Sequence, residues 1–263
     1  MKRSAVVLFL VMLYGELFGQ NTDNQYLIFN NVIASDLKVD VNGTLYAIHG
    51  SVLTKLRPDN ELMLTYDALQ YGDITSIDVD NPLKIMLFYR DAAKIVFLDD
   101  KLTPMIEPLD LLAHNWQSIT LATYVTDNHL WLYDNSTQEL IEVDFHLNEL
   151  SRTRLLLDDF SPTQIFSLRE RELVMNNPST GVVFFDAFGT YLKTISLPTE
   201  GEIQVDNSFI HYIEDRHLLS YNYRNLSQNF VKELPFVTKK FALSRQYLYF
   251  LTEDNEIEYI KFR

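Results

Sequence analysis

The chain has 263 residues, with 22 basic against 36 acidic side chains, a formal net charge of −14 and no cysteine. An acidic surface of this kind repels phosphate backbones and anionic lipid, which argues against nucleic acid as a partner. Without cysteine there is neither disulfide nor thiol chemistry, so stability must come from a buried core, which a chain of this length can build.

The N-terminus carries Lys2 and Arg3, an apolar run from Ala5 to Tyr14, small residues at Gly15 and Gly19, and then the polar stretch Gln20–Asn24. That is the pattern of a cleaved secretory signal, and the run is shorter than the roughly 20 apolar residues needed to span a bilayer. The expectation is a signal peptide over 1–20 and a single domain over 21–263, periplasmic or outer-membrane-associated, with no membrane-spanning segment of its own. Removing Lys2, Arg3 and Glu16 would take the formal charge from −14 to −15. No cysteine follows the expected cut, which excludes a lipoprotein-type anchor.

After residue 20, helical periodicity is nearly absent, and short runs of Val, Ile, Leu, Phe and Tyr alternate with Asp-Asn, Asn-Gly and Asn-Pro punctuation. First comes an isolated strand, Tyr26–Phe29. A repeat then sets in. One strand position recurs at Leu45, Ile85, Leu130, Leu173, Phe209 and Tyr247, with spacings of 40, 45, 43, 36 and 38 residues. The strand after it recurs at Leu53, Ile95, Leu140, Val182, Leu218 and Glu256, with spacings of 42, 45, 42, 36 and 38. A strand before it starts at Leu37, Ile74, Ile119, Gln164, Ile203 and Phe241. Units of about 40 residues with about four strands are propeller blades. The fold expected is therefore all-β, a six-bladed β-propeller of four-stranded antiparallel blades. The last unit ends at Arg263 after its third strand, so Tyr26–Phe29 is expected to close the ring beside Glu256–Ile260.

Catalytic motifs are missing. The six histidines stand at 49, 114, 129, 146, 211 and 217, in no dense ligand spacing, and there is no nucleophile elbow, phosphate loop or dinucleotide fingerprint. His211 reads as a packed or solvated side chain. Asp36, Asp40, Asp78, Asp80, Asp99, Asp100, Asp158 and Asp159 fall at strand ends and turns, where turn chemistry explains them. Asp40-Val-Asn-Gly43 echoes a calcium loop, but Lys38 stands where a ligand is required. No catalytic residue, metal ligand or cofactor is expected. Trp116, Trp131 or Tyr124, if exposed, could stack on a sugar.

Two segments carry a family likeness. Phe185-Asp-Ala-Phe-Gly-Thr-Tyr-Leu-Lys-Thr-Ile195 resembles the strand–turn–strand signature of NHL-type propellers, with Asp186 capping the turn and Gly189 supplying a positive φ. Val143-Asp-Phe-His and Phe97-Leu-Asp-Asp-Lys depart from that signature, since no Gly follows. Residues 74–102, with Ile74–Asp91 followed by Lys94–Leu102, resemble a small family of exported propellers of Bacteroidota that includes the plug of the type IX secretion translocon. That resemblance implies a non-enzymatic interaction module whose partner is an outer-membrane barrel or another envelope complex. Asn81, Pro82, Arg90 and Asp91, at the turns of this segment, are the candidate contact residues. Two other readings stay open: a carbohydrate-binding or carbohydrate-active propeller, and a lactonase-like metal enzyme with inward Asp, Asn and Glu.

Overall fold

A computed structural model describes residues 27–57, 63–125, 128–168, 172–197, 201–206, 208–238 and 240–262. The expected signal peptide and Tyr26 lie outside these residues. The strands form six antiparallel sheets of four. Blade I holds β2 (Asp36–Val39), β3 (Leu45–His49), β4 (Val52–Leu56) and β5 (Met63–Asp67). Blade II holds β6 (Ser76–Asp78), β7 (Ile85–Tyr89), β8 (Lys94–Leu98) and β9 (Leu109–Asp110). Blade III holds β10 (Ile119–Val125), β11 (His129–Asp134), β12 (Glu139–Asp144) and β13 (Glu149–Arg154). Blade IV holds β14 (Gln164–Ser167), β15 (Leu173–Asn177), β16 (Gly181–Phe185) and β17 (Tyr191–Ile195). Blade V holds β18 (Gln204–Val205), β19 (Phe209–Glu214), β20 (His217–Asn222) and β21 (Ser227–Glu233). Blade VI is made from both ends of the chain: β22 (Phe241–Leu243), β23 (Tyr247–Leu251), β24 (Glu256–Lys261) and, outermost, β1 (Leu27–Ile33).

The middle strands are buried on both sides. β7 and β15 are buried at every position, because each blade is covered by a neighbour on either face. That is why these segments read as continuous apolar runs and not as alternation. The core is correspondingly divided: each of six clusters fills one blade–blade interface. Between blades I and II, Tyr46 and Leu53 meet Leu87 and Tyr89; between III and IV, Trp131 and Tyr133 meet Met175 and Phe185.

One turn design recurs on the face that carries the links between first and second strands and between third and fourth strands, here the first face. Asp40, Asp99, Asp144 and Asp186 each accept, on one carboxylate oxygen, the backbone N–H groups two and four residues ahead, at 2.7 to 2.9 Å. The residue three ahead takes positive φ: Gly43 at 83°, Leu102 at 60°, Leu147 at 60° and Gly189 at 74°. So the two segments that lack the Gly keep the turn, and a leucine takes the left-handed position. The compensation is burial, with Leu102 and Leu147 both 5% exposed in interface clusters. Leu147→Ala would keep a Cβ at that φ and lose the buried side chain; Leu147→Gly loses the side chain but relaxes the backbone. The Ala variant is expected to be less stable than the Gly variant by about 1 kcal/mol, the reverse of the usual order. Denaturant midpoints check this, and an Ala variant as stable as the Gly variant would show that the turn tolerates a side chain freely.

Ring closure is made by β1 on the outer side of β24, as expected. Leu27 faces Tyr259 and Ile28 faces Glu258, antiparallel. Phe29 is 4% exposed, with its ring 5.0 Å from Tyr259 and 6.2 Å from Tyr249.

Candidate functional site: the central channel

The first strand of each blade lines the axis. These six strands and the residues preceding them enclose a cavity of about 150 Å³, whose polar lining includes Lys38, Asp78, Asp80, Gln164, Glu202 and Gln204. A polar side chain on so short a first strand points to the axis because the strand's other face is needed for the blade interface.

At the end nearer the second face, three blades exchange charges. The Lys38 ammonium donates to Glu202 Oε2 at 3.2 Å. Lys240 pairs with Glu202 Oε1 and lies 3.5 Å from Asp36 Oδ1. Burial alone would raise Glu202, but Lys38 and Lys240 outweigh it and hold the carboxyl below its ordinary value. Burial alone would lower Lys38, yet the carboxylates of Asp36, Glu202 and Asp80 keep its pKa above the usual lysine value. Asp36 goes the other way: burial raises its carboxyl despite Lys38 and Lys240.

Further round the ring, side chains fasten one first strand to the next. Asp78 at the end of β6 accepts from Thr123 Oγ1 at 3.0 Å and from the Tyr124 N–H at 3.1 Å, both on β10. Gln164 on β14 accepts the Ile203 N–H at 2.8 Å and donates to the Ile203 carbonyl at 3.3 Å. Gln204 on β18 repeats the clamp on Leu243 of β22, at 2.7 and 2.6 Å. These amides mimic a strand pair across a blade gap where no backbone ladder exists, so each satisfies groups that would otherwise be orphaned.

Asp80 stands apart. Its carboxylate accepts no hydrogen bond among the described residues. It opens to the channel mouth, yet the surrounding walls strip its hydration; this burial, then the neighbouring Asp78, pushes its pKa up to about 7 against the pull of Lys38. Between about pH 4 and 7 the folded chain keeps a proton on Asp80 that the unfolded chain has released, so stability falls as pH rises through that window. Asp80→Asn is expected to melt higher than the parent at pH 8 and close to it at pH 4.5. An identical difference at both pH values would show that this carboxyl ionises normally. A carboxyl near pKa 7 can exchange a proton at neutral pH, but its near neighbours Asp78 and Lys38 are already engaged elsewhere. Among the described residues, no group of three or more His, Asp or Glu is placed to hold a metal ion.

The candidate contact residues separate. Asn81 and Pro82 form the turn before β7, where the Asn81 side chain accepts the Leu83 N–H at 3.0 Å, on the first face. Arg90 and Asp91 form the turn after β7, on the second face, joined to each other at 3.5 Å. Five residues of strand lie between the pairs, roughly 17 Å. No single flat partner touches both. Of the three aromatics considered for a sugar, Trp131 is fully buried at an interface, Trp116 is 9% exposed beneath a stacked His114, and Tyr124 is half-buried against Phe97 and Phe145. A tryptophan spent on core packing offers no face to a sugar. His211 is buried and sits 3.2 Å from Asp206. Lys38, Gln164, Glu202, Gln204 and Lys240 were not singled out as a site by sequence reasoning. The available signal was positional, since all five lie at or just before the first strand of a repeat.

No family model matches the chain, and no curated protein matches it significantly. Solved structures do. A streptogramin B lyase superposes with a TM-score of 0.60 at 12% identity, covering 91% of this chain and 87% of that one. A chain of a mitotic checkpoint complex gives 0.60 at 9% identity, covering 99% of both. PorZ, a surface component of the type IX secretion system of Porphyromonas gingivalis, gives 0.49 at 12% identity over 90% of this chain but 34% of that chain, which adds nothing to the fold. What is shared is the propeller. A lyase and a component of a checkpoint assembly use it alike, so function must be argued from sites.

Proposed function

We propose that the protein is a non-enzymatic interaction module of the bacterial cell envelope, exported through a cleaved signal and seated against the periplasmic side of an outer-membrane barrel, as the plug of a type IX translocon is. One observation carries the reading. Apart from Asp80, the polar channel groups that a propeller enzyme would turn toward a substrate are here engaged in fastening the ring: Asp78 to β10, Gln164 and Gln204 to the next blade, Glu202 to two lysines. What remains for recognition is the two broad faces and the outer rim, which suit protein contact. The likeness of residues 74–102 to exported propellers supports the envelope, and the acidic surface suits a partner with a basic rim, reached through a polar contact that releases readily. A partner on the first face would meet Asn81 and Pro82, and a partner on the second face Arg90 and Asp91 instead.

Cross-linking of the tagged protein in its native envelope tests this. Expected is capture of a large outer-membrane barrel, with the complex weakening as salt rises. Capture of soluble glycans or periplasmic enzymes alone, and never a barrel, would replace this reading with the carbohydrate one.

A further inference from the structure

The donors of the channel are spent. Lys38 and Lys240 both pair with Glu202, and Lys84, shortly after Asp80 in the chain, turns its ammonium away to Asn128 at 2.7 Å. Gln164 and Gln204 each give both side-chain oxygen and nitrogen to the next blade. Asp78 accepts three protons, from Thr123, from the Tyr124 N–H and from the Asp80 N–H at 3.1 Å. Asp80, in the β6–β7 link at the first-face mouth, is the one charged group of the cavity lining whose side chain has no hydrogen-bond partner among the described residues.

A carboxylate in that setting selects its ligand. An anion finds no idle donor in the lining and is repelled by Asp78 and Asp80. A divalent metal needs more ligands than this end of the channel supplies, since among the described residues no group of three or more His, Asp or Glu is placed to hold one. An ammonium fits, because it brings one positive charge and three donors to a carboxylate whose surroundings make an unpaired charge costly. Lys38 opposes such a guest, but its ammonium is drawn to Glu202 at 3.2 Å, toward the second face. The room behind Asp80 sets the rest of the ligand. A cavity of about 150 Å³ holds a molecule the size of benzene. Its wall includes Val39, Ile165, Phe166 and Val205, all half-buried, which suit a short unbranched alkyl stem.

We propose that the first-face mouth of the channel binds a primary aliphatic ammonium, its charge on the Asp80 carboxylate and its alkyl stem in the cavity. That chemistry has two sources, a small free amine and the side chain of a partner's lysine. The site stands apart from the envelope contact proposed above and does not rest on it, since the purified protein alone tests it.

The Asp80 carboxyl carbon, followed by NMR in the purified protein, reports occupancy. The probes are n-butylammonium chloride and two short Gly-Ser peptides, one with a central lysine and one with that lysine acetylated. The expected result is that the Asp80 titration moves to lower pH as the amine is added, because a bound cation favours the carboxylate. Affinity should fall by about tenfold or more from pH 8 to pH 5, as Asp80 takes up its proton. A response to the lysine peptide assigns the site to a partner's side chain, and a response to n-butylammonium alone assigns it to free amines. Asp80→Asn should abolish binding while melting higher than the parent at pH 8, so the loss cannot be put down to unfolding. No response to either amine, an equal response to sodium chloride, or undiminished binding by Asp80→Asn would overturn the proposal. So would an acetylated peptide that binds as well as its lysine form.

Discussion

Deleting residues 21–31 is expected to lower the melting temperature of the entire protein by 10 °C or more. The deletion removes most of β1, so β24 becomes an unpaired edge and the interface of blades VI and I loses Phe29 from its place against Tyr249 and Tyr259. Emptying one buried Phe site costs roughly 3–5 kcal/mol, and in a protein of this size each kcal/mol moves the midpoint by roughly 2–4 °C. The loss is shared by the ring, because an opened blade no longer presses on both neighbours. Calorimetry of the truncated chain reads the result, and Phe29→Ala in the full chain separates side-chain packing from strand pairing. An unchanged midpoint in the truncation would show that three strands close the ring unaided.

The second large effect is expected at Glu202. Glu202→Ala leaves Lys38 and Lys240 facing each other's charge in the channel with Asp36 and Asp80 as the remaining acids. Breaking a buried pair from one side costs roughly 3–5 kcal/mol. With side-chain exposures of 21% for Glu202, 24% for Lys38 and 34% for Lys240, water screens part of this, and roughly 2–3 kcal/mol is expected. Replacing all three together, Glu202→Leu with Lys38→Met and Lys240→Met, should recover much of the loss, because no charge is then left without a partner. The sign with pH follows from the lowered carboxyl. Its contribution is full above the ordinary glutamate value of 4.5 and is lost as pH falls through the lower folded value, so the deficit of Glu202→Gln should be present at pH 7 and shrink in acid. A triple variant no better than Glu202→Ala would mean that the lysines were not the source of the cost.

The blades were legible because blade burial writes itself into the chain as apolar runs at a steady beat. Phe241–Leu243 and Tyr247–Leu251 begin at the positions read from the repeat, and the strand expected from the missing fourth position pairs with β24 from Leu27 onward, with Tyr26 outside the described residues. The turns were half legible. Asp186 and Gly189 were readable, whereas Leu102 and Leu147 hid the same turn, since burial outweighed a φ of 60° that local propensity alone would assign to Gly. The channel was not legible as a site. Lys38 and Glu202 are 164 residues apart, and only closure of the ring brings them to 3.2 Å. Trp131 misled because an aromatic residue's identity says nothing of which way its strand faces; β11 is a second strand, walled in on both sides.

The way β1 lies on β24 also decides how the molecule answers to force. Leu27 sits opposite Tyr259, so the start of β1 and the end of β24 lie at the same corner of the ring. Tension applied between them peels the pair apart one rung at a time, like a zipper opened from its tab, and no rung shares the load with the next. Hooked instead by β1 and by a point on the far side of the disc, the same rungs would be sheared together and resist as a group. The same ring can in this way be opened by a gentle pull in one direction and resist a pull in another.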